Sequence, residues 1–514
     1  MFGIRQAISS AVDDSCMTSS EHIGRCDNEH YHFLNYQTVV SSAGAVVDGK
    51  PAHAALGPDN VGGQDLVTNS THGELWKETF ANAPVLLQHY AHNVISMLTP
   101  VRHLKTPWHV LFLPCAKQTL ATIMIGQTPN AADLTTFFGT LALSALSLEA
   151  YTRDLNCIKL AELFQDRAQW CLQEMISCAL DLPKVYKYKS MLMALLTMAR
   201  ISWVNGSWDE TDAVLLEAEK LIRLRGLSKL HKSRKVRMLH HCYAYTRIIQ
   251  ESISLTSSRS PKLLNLMQII EGSGPLVHGS DLPFFGLVCW DELEQRYRQH
   301  KSREEGENDL HFASPGKWKA TLYPEIFGVP ETWLNLLSQT IRLANERALA
   351  ETIEPSFLSL REFLVRAKAL ERYILRCATK KIEDPDTVDY TVLPQKLQHV
   401  LYSGLVIYFY RRVYEIEADL LQAKVLAVKK QLSDCKQLCK STGIFDALMW
   451  PAFVAGCEAV DPALQDFYLS WFETDIVYTR LAAHKTMKAL MQQVWEHRAG
   501  GSTNSCSSLQ FLCV

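Results

Sequence analysis

The residues best able to do chemistry fall into three short stretches. WPAFVAGCEA, Trp450 to Ala459, sets a glycine, a thiol and a carboxylate in a row at Gly456, Cys457 and Glu458. A cysteine becomes a nucleophile when a base or a positive charge favours its thiolate. The local sequence places no such base beside Cys457, so the stretch reads as packing. His240-His241-Cys242 has the atom types of a Cys/His pair. Consecutive helical positions point about 100° apart, however, so the three cannot meet at one atom. EHIGRCDNEHYH gathers His22, Cys26, His30 and His32. These could ligate zinc by type, but they lack the spacing of structural zinc modules. No metal or other cofactor is expected.

Other signatures of catalysis are missing from the chain. It has no Gly-x-Gly-x-x-Gly after a strand, no Gly-x4-Gly-Lys-Ser/Thr, no His-Glu-x-x-His and no Gly-x-Ser-x-Gly. Spacing alone selects no acid–base pair from 54 carboxylates. The fourteen cysteines are dispersed, and the closest pair, Cys435 and Cys439, lies one helical turn apart and reads as packing.

A basic run from Lys220 to Arg237, KLIRLRGLSKLHKSRKVR, contains no acid. It could serve nuclear import or phosphate contact. The plainer reading is a helix end, a loop and a helix start, with the cations near backbone carbonyls. Net charge over the 514 residues is -2, which gives no overall drive toward DNA or an anionic membrane. The N-terminus lacks the pattern of a secretory signal. The run judged most apolar, Leu393 to Tyr410, is too polar to span a bilayer. An intracellular protein without membrane contact is expected.

These residues sit in a sequence dominated by helical periodicity. Residues 1–73 are rich in Ser, Gly, Ala, Asn and Asp and read as a low-order segment. From Leu75 and Trp76 onward, apolar residues recur at helical spacing. FFGTLALSALSLEAY is apolar nearly all round and predicts a buried helix. Asn156 to Ala179 is expected to bury Ile158, Leu160, Leu163, Ala168, Cys171, Leu172 and Met175. Gly226 is placed to end the helix that begins at Trp208, and Pro451 suits the first position of another. RYRQHKSREEGENDLH, within a charged insertion of about residues 256–320, predicts a solvated loop. Strand signals are scarce. The predicted fold is all-α, a large multi-helix domain of antiparallel helices over residues 74–498, followed by a flexible tail, 499–514.

Five blocks in order carry a resemblance. They are LLQHYAHNVISMLTP (Leu86 to Pro100), FFGTLALSALSL (Phe137 to Leu148), ISWVNGSWDETDAVLLEAEKLIRLRGL (Ile201 to Leu227), YPEIFGVPETWLNLLSQTIRLANE (Tyr323 to Glu346), and WPAFVAGCEA with the later VWEHR (Val494 to Arg498). Together they resemble the regulatory domain of fungal zinc-cluster transcription factors, in the branch of arginine-metabolism and sterol-uptake regulators. The signature positions are Gly206, Trp208, Leu224, Arg225, Gly226, Trp450, Pro451, Gly456, Cys457 and Glu458.

The resemblance implies a non-enzymatic, nuclear regulator of metabolic or secondary-metabolite genes, with the cytoplasm as a second address. This chain departs from the resemblance in one respect, the zinc cluster that such regulators carry near the N-terminus. The cysteine ligands that bind two zinc ions in such regulators are absent, since only Cys16 and Cys26 stand in the first hundred residues. DNA contact is then expected through a partner, a zinc-cluster regulator or the transcription machinery. A gene product missing an upstream segment and a drifted paralogue are equally open accounts. The sterol-responsive branch implies an apolar effector pocket, for which Trp203, Trp208, Met449, Trp450 and Phe453 are candidates, with core packing as the plainer role. A helical small-molecule-binding or enzymatic accessory protein of a biosynthetic pathway is the alternative.

Overall fold

The computed structural model describes residues 70–100, 103–178, 185–229, 231–253, 293–312, 314–352, 358–379, 392–438, 445–473 and 482–499. The first expected segment, residues 1–73, therefore lies almost wholly outside the described residues, as do the tail, Cys16, Cys26 and Cys439. Among the described residues the structure is all helical, with one isolated bridge, His300 to Lys317, and no strand.

The chain begins with α1 (Ser70–His89), a π turn (Tyr90–Val94) and α2 (Ile95–Leu98). A second π turn (Trp108–Phe112) leads into α3 (Leu113–Met124). Then follow α4 (Ala131–Thr152) and α5 (Leu155–Ser177), packed along one another. Asn130 caps α4 by accepting the Asp133 N–H at 3.0 Å. Arg153, with φ of 59°, turns the chain back. Four hydroxyls buried in α4, those of Thr135, Thr136, Thr140 and Ser144, each donate to the carbonyl one turn earlier. This lets a helix buried on nearly every side carry polar atoms without leaving them unsatisfied. It is the described helix long and apolar enough to cross a bilayer, rather than Leu393 to Tyr410, and here other helices enclose it.

The next helices are α6 (Tyr188–Val204), α7 (Trp208–Leu221) with a third π turn (Ile222–Gly226), and α8 (Arg234–Ile253). Short helices α9 (Leu293–Arg298), α10 (Arg303–Asn308) and α11 (Tyr323–Phe327) precede α12 (Glu331–Thr352), α13 (Leu360–Thr379) and α14 (Val392–Val413). The last group is α15 (Gln422–Leu438), α16 (Phe445–Cys457), α17 (Pro462–Glu473) and α18 (Ala482–Ala499).

Three expectations are corrected. On α5 the buried face is Cys157, Ala161, Phe164, Ala168, Cys171, Leu172 and Met175. Ile158, Leu160 and Leu163 are only half-buried, because the small Ala161 and Ala168 lie on the side turned toward α4. Pro451 lies inside α16 rather than at its start. The charged segment is folded wherever it is described. Ser302 and Glu305 form a capping box that starts α10, and Trp318 lies against Gly306, where a Cβ would meet its ring. Lys301 is buried with Asp309 at 2.9 Å and Glu331 at 3.6 Å. The segment is helical rather than a loop, while Arg296, Arg298, His300, Arg303, Glu304 and Glu305 are exposed as expected and only Lys301, Glu307 and Asp309 turn inward.

Candidate functional site

The WPAFVAGCEA stretch is a joint. In a helix interior, proline removes a hydrogen bond and pushes on the preceding turn. The Pro451 ring packs closely against α14 at Gly404, where a Cβ would lie 2.8 Å from the Pro451 Cβ. Trp450 donates its indole N–H to Ser252 of α8 at 2.7 Å and meets Trp333 of α12 edge-on at 5.1 Å. Gly456 lies where α17 and α18 approach α16. A Cβ there would sit 2.5 Å from the Met491 sulfur and 3.2 Å from the Tyr468 Cβ.

The last carbonyls of a helix lack intrahelical partners. Those around the end of α16 are filled by side chains from other elements. The Trp495 indole donates to the Gly456 oxygen at 3.0 Å, and Arg498 donates to the Cys457 oxygen at 3.1 Å. Gln422 donates to the Glu458 oxygen at 2.8 Å, and Gln465 to the Ala459 oxygen at 3.1 Å. The Glu458 carboxylate is itself buried, with Arg411 at 3.0 Å and Arg498 at 3.1 Å. Burial raises its pKa while the two guanidinium groups oppose the shift. Cys457 is buried, and its backbone carbonyl accepts the hydrogen bond from Arg498.

The other signature block meets the same C-terminal helix. Gly206 ends α6 with φ of 72°, and a Cβ there would lie 2.6 Å from the Thr486 hydroxyl of α18. Trp208 opens α7, packs edge-on against Trp203 at 5.9 Å, and accepts a hydrogen bond from Gln250 at its carbonyl. Leu224 is half-buried. Arg225 donates to the Tyr186 carbonyl at 3.0 Å. Gly226 ends the helical run that begins at Trp208, as expected, but without a left-handed backbone. It closes a π turn, and its missing side chain leaves room for the Tyr188 hydroxyl, 2.3 Å from an ideal Cβ.

That hydroxyl lies 2.6 Å from His240 Nε2, whereas His241 is engaged by the Arg237 carbonyl and the Leu322 N–H. Burial pushes both imidazoles down to about 3. With Cys242, they serve separate contacts, as the helical angle requires. The basic run is also used internally. Arg223 pairs with Glu219, Lys232 with Asn308, and Arg234 with Glu325, while Arg237 donates to the Ala320 carbonyl. Burial alone would raise Glu219, but His311, Arg223 and Arg247 hold it well below the usual carboxylate range.

A cavity lies elsewhere. Its volume is about 60 Å³, and its walls include Tyr90, Leu98, Trp108, Phe112, Leu196 and Phe327, with Arg200 among the polar groups. None of Trp203, Trp208, Met449, Trp450 or Phe453 lines it; all but the half-buried Trp208 are core residues. Pockets for drug-sized ligands span about 300–1,000 Å³, so this one cannot enclose a sterol. The sequence did carry a signal. Tyr90, Leu98, Leu143 and Phe327 fall within the blocks that begin at Leu86, Phe137 and Tyr323. Among the described residues, no group of His, Cys, Asp and Glu could hold a metal ion.

Comparison with known proteins adds the following. The family described as "Fungal specific transcription factor domain" matches residues 85–510. "Arginine metabolism regulation protein II" of Saccharomyces cerevisiae is 21% identical over 479 residues, covering 81% of this chain and 53% of that protein. The chain thus spans about half the length of this relative. No solved structure gives a significant match.

Proposed function

The chain belongs to the fungal specific transcription factor domain family, and from that premise we propose that it regulates metabolic genes, secondary-metabolite genes among them. It does so in the nucleus, with DNA contact supplied by a partner such as a zinc-cluster regulator or the transcription machinery. The observation that carries this reading is the family match itself, which runs through nearly the whole described helical unit. Regulation of metabolism is favoured by the similarity to the yeast arginine metabolism regulation protein II. A partner is favoured by the basic run, several of whose cations, Arg223, Lys232 and Arg237, are engaged by Glu219, Asn308 and the Ala320 carbonyl.

Transcript profiling of a deletion strain tests the reading, together with chromatin immunoprecipitation of the tagged chain. The expected result is a coordinated change in one set of metabolic transcripts, with the tagged chain at their promoters only while its partner is present. Unchanged transcripts, with build-up of a single intermediate, would overturn it in favour of an accessory enzyme.

A further inference from the structure

We infer that the cavity between α2, α4, α6, α8 and α11 is a binding site for a short-chain monocarboxylate of two to four carbons. Binding is independent of the transcriptional reading and is measured on the full chain alone, so either can fail without the other.

Four observations converge on this site. The first concerns backbone. Two separate π turns deliver Tyr90, Trp108 and Phe112 to one space. In each, the N–H five residues on, of Ile95 and of Leu113, reaches back to the turn's first carbonyl. π turns interrupt regular helices at some cost and concentrate at functional sites. The second is charge. Among the described residues lining the cavity, Arg200 bears the single formal charge, and no acid lines it. A guanidinium offers five N–H donors in a fork that matches a carboxylate. The planar group of Arg200 is also held over the Trp203 ring, 4.8 Å from the centroid, which fixes the fork.

The third is a second donor. Tyr90, whose side chain ends in a hydroxyl, lines the same cavity as Arg200. The fourth is size and lining. About 60 Å³ holds about four water-sized probes. That suits a carboxylate with a stub of alkyl chain resting on Leu98, Leu143, Leu196 and Phe327. Affinity for so small a guest is expected in the millimolar range.

The test titrates the full chain with propionate, propionamide and propylammonium at fixed ionic strength, read by saturation-transfer NMR. Propionate is expected to saturate at millimolar concentration, propionamide to bind at least tenfold more weakly, and propylammonium not at all. Arg200→Gln should weaken propionate at least tenfold, and Leu196→Trp, which fills the cavity, should abolish binding. Each variant is first checked for a cooperative melt. The ligand series on the unaltered chain stands even where a variant does not fold. Equal binding of propionate and propionamide, absence of saturation by propionate, or full affinity in a folded Arg200→Gln chain would each overturn the inference.

Discussion

Replacing Gly456 by alanine sets two effects of opposite sign against one another. Within a helix, alanine is favoured over glycine by about 1 kcal/mol, so propensity alone makes Gly456→Ala stabilising. Packing opposes it. The new Cβ would lie 2.5 Å from the Met491 sulfur and 3.2 Å and 3.3 Å from the Tyr468 Cβ and Cγ. The thioether can move, since methionine is flexible. Tyr468 cannot easily follow, because its ring is fully buried and its hydroxyl donates to the Val425 carbonyl at 2.8 Å. Overpacking of this kind costs about 1–3 kcal/mol, so the net change is a loss of about 1 kcal/mol. Gly456→Leu drives more carbon into the same space and should lose at least about 3 kcal/mol or fail to fold.

Urea denaturation followed by tryptophan fluorescence measures both variants. Combining Gly456→Ala with Met491→Ala supplies a control. Removing the thioether relieves the shortest approach, so the alanine should cost about 1 kcal/mol less in that background. A Gly456→Ala chain stabilised by the full propensity gain would refute close helix packing as the reason for the glycine.

Ser252→Ala should lower stability by about 1–3 kcal/mol by leaving the buried Trp450 indole N–H unpaired, whereas Trp450→Phe in the Ser252→Ala background should recover part of the loss; denaturation midpoints check both. Glu458→Ala leaves Arg411 and Arg498 without their shared carboxylate. It should lose about 3–5 kcal/mol, more than Glu458→Gln, read in the same assay. Burial lifts the Glu346 carboxyl to about 7, against the pull of Arg366 and Arg342. A folded-state pKa raised above the unfolded value contributes stability that is full below about pH 4.5 and lost as pH rises toward 7. The unaltered chain should therefore lose about 3 kcal/mol over that window relative to Glu346→Gln, and equal pH slopes for the two chains would contradict it.

Much of the architecture was legible because helical periodicity reports burial directly. The all-round apolar character of Phe137 to Tyr151 predicted a buried helix, and α4 is one. The charged segment after Leu293 was misread because single residues do not show their partners. Lys301, Asp309 and Glu331 look solvated in sequence and pair only once α10 and α12 are in place. Ser302 and Glu305, three apart, were the local clue to structure there. Pro451 was misplaced for a similar reason. Proline inside a helix is disfavoured, and Gly404, against which its ring packs, is distant in sequence. The cavity was missed because aromatic residues at helical spacing look alike whether they line a space or fill one. The two π turns, which shift the register by one residue, begin at Tyr90 and at Trp108, and both residues line the cavity.

The two most specific sequence blocks become intelligible through α18. Gly206 and Gly456 are far apart in the chain, yet an added side chain at either would strike this one helix, at Thr486 and at Met491. Trp495 and Arg498, one turn from its end, then take the carbonyls that α16 leaves open. Small residues are needed where α18 crosses, and donors where it ends. Those two requirements explain the glycines and the terminal VWEHR without any reaction. Cys457 and Glu458 resemble chemistry because a helix end exposes polar groups, but the Cys457 carbonyl and the Glu458 carboxylate are taken by Arg498 and Arg411. A group held in this way cannot also turn to meet a substrate. The opposite holds at the cavity, where backbone departs from α geometry and a guanidinium faces apolar walls. Room for a guest lies there, away from the residues whose types first suggested a site.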